Sequence, residues 1–196
     1  MKAKIMIILG VPLLLGLVII VYFALPWLLM LIGIQLEPNP SRPAITYGEF
    51  PFRLDYEING ERKVVQDTLI CEYDGIGSNE GTGKYRKWKE RFASGNPKIL
   101  LLKVDGASGI AFGNKKTIYQ EIFFDLGPAW YYMGDDEGGS GYKPIYPNAS
   151  FSEQYQDGSG TKGVILADEL LNKYNIKLIS WDYTQPIRNN FSSTKK

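Results

Sequence analysis

From Ile5 to Ile34 the chain carries no charged residue, and this 30-residue run limits what the rest can be. At about 1.5 Å per residue a helix of that length measures about 45 Å, against a hydrocarbon core of about 30 Å. One tilted crossing fits. Two crossings of about 20 residues each, plus a turn, do not. Pro26 lacks an amide hydrogen and crowds the preceding turn, so the helix is expected to kink near Pro26 or end near Leu25, with Tyr22 and Trp27 at the membrane interface.

Lys2 and Lys4 precede the run, whereas Glu37 and then Arg42 follow it, a bias that sets residues 1–4 in the cytoplasm and the C-terminal domain outside. The same order of charge and apolar residues begins a cleaved signal peptide. The apolar core of such a peptide is about 7–15 residues and ends in small residues, while Ile34-Gln35-Leu36-Glu37 offers no such site. The expectation is an uncleaved signal-anchor helix over 5–34 that contacts the lipid bilayer. Residues 35–47 form a proline-rich linker, because Pro38, Pro40 and Pro43 favour extended backbone.

Every acidic residue lies at or beyond Glu37, leaving 20 basic against 21 acidic residues there, a charge of −1 that carries no nucleic-acid footprint. Histidine is absent and Cys71 is the one cysteine. Ser-His-Asp and Cys-His catalysis, histidine metal sites and an internal disulfide are therefore excluded. Cys71 alternates with Leu69 and Tyr73 and reads as a buried thiol.

In residues 48–186 the clearest element is a strand. Phe50, Phe52, Leu54, Tyr56 and Ile58 alternate with polar or charged residues and Pro51, and Asn59-Gly60 predicts a two-residue hairpin into a second strand over 62–73. Ile99 to Val104 reads as a central strand covered on both faces. Ile118, Ile122, Phe124 and Leu126 share one face of another strand, followed by a partner over 130–133 and a short edge strand at Tyr142 to Tyr146. Val164, Ala167, Leu171 and Tyr174 recur at helical spacing before a left-handed cap at Asn175, and alternation resumes over 177–183. The expected fold is a single transmembrane α-helix followed by an α+β domain. That domain is mostly antiparallel sheet, sandwich-like or curved, with about six or seven strands and one or two packed helices. Residues 187–196 are expected to be a disordered tail.

Several segments could carry chemistry. Residues 74–84 are glycine-rich, but Ser78 stands where a phosphate-binding loop needs its first glycine and Tyr85 where it needs Ser or Thr, so a structural turn is expected. Lys84, Arg86, Lys87, Lys89 and Arg91 gather positive charge, and Tyr85, Trp88 and Phe92 would share one face of a basic amphipathic helix suited to membrane or partner contact. Asp135, Asp136 and Glu137 offer oxygen ligands between glycines, though without the spacing of a calcium loop. Trp130, Tyr131, Tyr132, Tyr142, Tyr146 and Tyr155 could form a recognition surface or simply pack. Asn148-Ala149-Ser150 and Asn190-Phe191-Ser192 match the glycosylation sequon.

These features point to a noncatalytic extracytoplasmic domain that needs no cofactor and binds a protein partner, an envelope polymer or a membrane assembly. Two alternatives stand beside it. One is a carboxylate-dependent hydrolase of envelope carbohydrate, recognisable by two carboxylates converging in an aromatic cleft. The other is subunit packing through the helix, where Pro12, Gly16 and Pro26 would shape the contact.

Overall fold

Asn59 and Gly60 both adopt positive φ, 54° and 81°, which is what a type I′ turn requires. They join β1 (Tyr47–Ile58) to β2 (Glu61–Asn79) in an antiparallel register running from Ile58↔Glu61 to Tyr47↔Glu72. The computed structural model describes residues 2–135 and 149–191, with side chains from residue 15 onward. It is an α+β fold of one long apolar helix, two four-stranded antiparallel sheets and two short helices. The chain forms two compact units, residues 1–41 with 75–86, and residues 42–74 with 87–196.

In the first unit, α1 (Lys2–Leu36) continues through Pro12 and Pro26 rather than ending near Leu25. From Leu15 to Leu36 it is long and apolar enough to cross a membrane. Tyr22 and Trp27 are exposed on it, and because the helix runs unbroken to Leu36, Tyr22 stands about 21 Å along the axis from its end. The unit also holds the tip of the hairpin between β2 and β3 (Gly83–Phe92), where the Asn79 carboxamide accepts from Gly81 N (2.9 Å) and Thr82 N (2.8 Å). The glycine-rich segment is thus the end of β2 and a tight turn.

In the second unit, one sheet has the order β3-β2-β1-β8, with β8 at Ile176–Tyr183, and the other the order β4-β5-β6-β7, with β4 at Ile99–Asp105, β5 at Thr117–Phe124, β6 at Ala149–Tyr155 and β7 at Gly160–Ile165. Phe50 and Leu54 of β1, Ile122 of β5, Ile165 of β7 and Ile176 of β8 join one core, so the inner faces of both sheets bury each other. Phe124 meets Trp181 across it, with ring centroids 4.7 Å apart. Cys71 is fully buried there, and burial pushes its thiol up to about 12.

Other expectations are corrected as well. Residues 84–92 belong to a strand, β3 (Gly83–Phe92), and not to a basic helix. The same residues satisfy a period of two: Arg86, Trp88 and Phe92 turn inward, while Lys87 and Arg91 point outward to pair with Asp74 (2.6 Å) and Glu72 (2.9 Å) of β2. β4 (Ile99–Asp105) is an edge strand, with Leu100 43% exposed. Ile118 points outward, 52% exposed, because a bulge between Thr117 and Tyr119 hands the inner face to Gln120. Residues 129–132 form a helical turn, α2 (Ala129–Tyr132), started by Gly127 at φ 90° and Pro128 and closed by a Met133 N to Ala129 O bond of 3.0 Å. Residues 160–165 form β7 and α3 (Ala167–Tyr174) begins later than Val164. Gly163 allows that pairing, since a Cβ there would fall 2.7 Å from the Phe151 ring of β6 (Ala149–Tyr155).

Asn175, at φ 52°, caps α3 in the left-handed region as its residue type implies. Beyond β8 the chain stays bonded through Phe191 instead of fraying at 187: Ala44 N donates to Asn190 O (3.0 Å) and the Asn189 carboxamide bonds both polar groups of the Ile45 backbone. The Tyr142 to Tyr146 strand and residues 192–196 lie outside the described residues.

Candidate functional site

A cleft of about 560 Å³ opens between the end of β3, the turn that follows it and the end of β5. The turn over residues 93–98 is held from below by Asp67. One carboxylate oxygen accepts from Thr68 N (2.7 Å) and Ser94 N (3.1 Å), and the other from the Ser94 hydroxyl (2.5 Å). Gly95, at φ 79°, completes the reversal. Leu69, Phe124 and Leu126 are buried in the cleft wall, while Glu90, Arg91, Asn96 and Asp125 are exposed at its rim. Lys98 bonds Glu121, and its ammonium lies 5.2 Å from the centre of the Phe123 ring. An apolar wall with a few placed polar groups is the composition of a ligand site.

Glu90 is the distinctive group. Its carboxylate accepts from Ala129 N at 2.9 Å. The side chain keeps solvent access because the cleft is open, yet protein on its flanks removes bulk water. Desolvation therefore raises its pKa, and the neighbouring Asp125 charge raises it further against the opposing Ala129 bond. Asp125 accepts from Gly127 N (2.9 Å) and the Ser150 hydroxyl (3.2 Å).

The site residues expected from sequence fall elsewhere. Lys84 is tied to the end of α1, donating through Nζ to Gln35 O (2.9 Å) and Glu37 O (2.8 Å). Arg86 is buried, with Nη1 3.4 Å from Ser41 O. Lys87 is in its ion pair, Trp88 donates to Asp135 at 2.8 Å, Lys89 is exposed, and Arg91 alone reaches the cleft. The basic residues thus divide between two strand faces and form no single surface. Asp135 is fully buried on the Trp88 indole, and Asp136 and Glu137 lie outside the described residues. No group of three or more Cys, Asp or Glu among the described residues is arranged to hold a metal.

No family model, curated protein or solved structure matches the chain. The geometry of its own residues is what bears on function. Of the aromatic residues singled out, Tyr132 is 1% exposed and packs 5.1 Å from Phe50, Tyr155 is 2% exposed, Trp130 and Tyr131 are half-buried, and Tyr142 and Tyr146 lie outside the described residues. The cleft residues Glu90, Lys98, Phe123 and Asp125 had no local signal beyond the turn sequence Asp125-Leu126-Gly127-Pro128, since distant segments build the site.

A second polar centre is internal. Glu153, 2% exposed, accepts from Ile110 N, Gln120 Nε2 and the Tyr155 hydroxyl, each at 2.5 Å, and from Ala111 N at 3.3 Å. Burial opposes its charge, but these donors together hold the carboxyl below its ordinary range. Burial and the Glu153 charge push Tyr155 up to about 12. Through Ile110 N and Ala111 N this centre fixes the loop over residues 106–116.

Proposed function

We propose that this is a single-pass membrane-anchored protein, N-terminus cytoplasmic, whose extracytoplasmic domain binds an envelope ligand, a surface polymer or partner protein, without transforming it. The cleft carries this reading. Its volume lies within the range of about 300–1,000 Å³ usual for ligand sites, and its buried apolar wall and polar rim suit a ligand with ring faces and hydroxyls or amides. An apolar helix with exposed residues on all sides supports the anchor, because water would be a costly medium for it.

The test is cosedimentation of the full-length chain, held in nanodiscs, with insoluble cell-envelope polysaccharide. Phe123→Ala removes an aromatic face from the cleft and is expected to reduce the bound fraction about tenfold, the effect of roughly 1.4 kcal/mol, while leaving the unfolding midpoint nearly unchanged. Equal binding by both chains would remove the cleft from the account.

The hydrolase reading keeps one specific support. Glu90 and Asp125 share an aromatic-lined cleft, and Glu90 holds its proton to higher pH, as a general acid does. Release of soluble sugar from the same polysaccharide, abolished by Glu90→Gln, would replace the binding reading with this one.

A further inference from the structure

We propose that the tip of the β2–β3 hairpin, residues 76–82, is a second membrane contact that lies in the phospholipid headgroup layer beside the exit of α1. The inference rests on the membrane-anchor reading and adds to it the depth and the partner of a second segment.

Leu28, Leu29, Leu31, Ile32 and Leu36 are between 45% and 80% exposed, so apolar surface continues to the last residue of the helix. Each such side chain left in water would forgo about 1.5–3 kcal/mol, so lipid must reach Leu36. From Ile5 to Leu36 the helix carries no charged residue over 32 residues, about 48 Å, enough to cross a hydrocarbon core of about 30 Å with tilt, and Glu37 ends the apolar run. The hydrocarbon core therefore ends along the last turn and a half of the helix, between Leu31 and Leu36, where headgroups take over.

Protein covers this end of the helix on one side. Ile34 is 9% exposed, and residues 78–81 share a notch with Leu31, Ile34 and Gln35. Leu31 lies five residues, or about 7.5 Å, below Leu36, so the hairpin reaches the level where headgroups meet acyl chains. Its composition suits that depth: Ser78, Asn79, Glu80 and Thr82 are exposed polar groups, and Ile76, 42% exposed, is the apolar one. A tip this polar stops at the headgroups.

The attachment is specific. The last carbonyls of a helix have no partner within it, and here they lie where lipid leaves few donors. Lys84 Nζ supplies two of those bonds, to Gln35 O and Glu37 O, with a charge that complements the helix dipole. Glu37 returns the contact by accepting from Lys84 N at 3.0 Å. Gly83, at φ 69°, permits the approach, since a Cβ there would fall 2.2 Å from the Glu37 carboxylate.

The experiment places an environment-sensitive dye at Glu80→Cys in the full chain, in nanodiscs of phosphatidylcholine and phosphatidylglycerol carrying nitroxide lipids. The buried Cys71 thiol stays unlabelled. Nitroxide on the headgroup is expected to quench most of the fluorescence at position 80, and mid-chain nitroxide much less. Lys84→Met should lose most of that headgroup quenching. A dye at Tyr22→Cys, quenched by mid-chain nitroxide, reports the span itself. No quenching at position 80 alongside quenching at position 22 would overturn the hairpin contact and leave the anchor intact; no quenching at position 22 would overturn the anchor, and the inference with it. Headgroup quenching that survives Lys84→Met would overturn the role given to Lys84.

Discussion

Glu153→Ala is expected to lower the unfolding free energy by about 3–5 kcal/mol, a large share of the about 5–15 kcal/mol that holds a domain together. The variant removes the acceptor of four donors at once. Ile110 N and Ala111 N belong to a loop, Gln120 to β5 and Tyr155 to the same strand as Glu153, and each would be left without this acceptor. A lost acceptor costs about 1–3 kcal/mol per stranded donor, reduced here because the loop can open to water. Glu153→Gln keeps one carbonyl oxygen and should cost about half as much. Because the folded carboxyl is held below its unfolded range, this stability is complete above the unfolded value and is lost as pH falls through the folded one. Denaturant unfolding at neutral and acid pH reads both effects. A midpoint unchanged by Glu153→Ala would mean that the buried network does not exist in solution.

Leu54→Ala should cost about 2–5 kcal/mol, the sum of lost burial and the cavity left behind. Leu54 is 0% exposed at the centre of β1, with Val65 opposite it on β2 and Trp181 opposite it on β8. Val64, one step along β2 and 47% exposed, is the matched control, and Val64→Ala should change stability by less than about 0.5 kcal/mol. The contrast tests register as well as packing. A slip of one residue would exchange inner and outer faces and reverse the two results.

Legibility in the sequence followed how local each signal was. The β1 alternation, the Asn59-Gly60 turn, β8 and the Asn175 cap are written within a few adjacent residues, and each forms where its pattern places it. Segment 84–92 was ambiguous because Tyr85, Trp88 and Phe92 satisfy a helical face while Arg86, Trp88 and Phe92 satisfy a strand face. Pairing with β2, through ions on the outer face, decides the matter, and no window within 84–92 contains it. β6 gave no strand signal because its inward positions are Ala149, Phe151, Glu153 and Tyr155, and a carboxylate at the third breaks the apolar alternation. Three of the four donors that make Glu153 acceptable inside, Ile110 N, Ala111 N and Gln120 Nε2, come from other segments.

The cleft was the least legible part for the same reason. Its two carboxylates stand at position 90 on β3 and position 125 just past the end of β5, in different sheets, and only the sandwich brings them to one opening. Lys84 shows the converse case. Its charge was visible as a candidate membrane contact, but its partners, the carbonyls of Gln35 and Glu37, depend on a hairpin reaching the helix end.

The central claim is an uncleaved anchor carrying its domain outside the cell membrane. Protease treatment of intact cells expressing the full-length chain with a C-terminal tag, set beside the mass of the mature protein, tests it most directly. The account predicts that the tag is digested from outside and that the mature chain retains Met1 to Lys196. A protected tag, or a mature chain lacking the apolar segment, would contradict it.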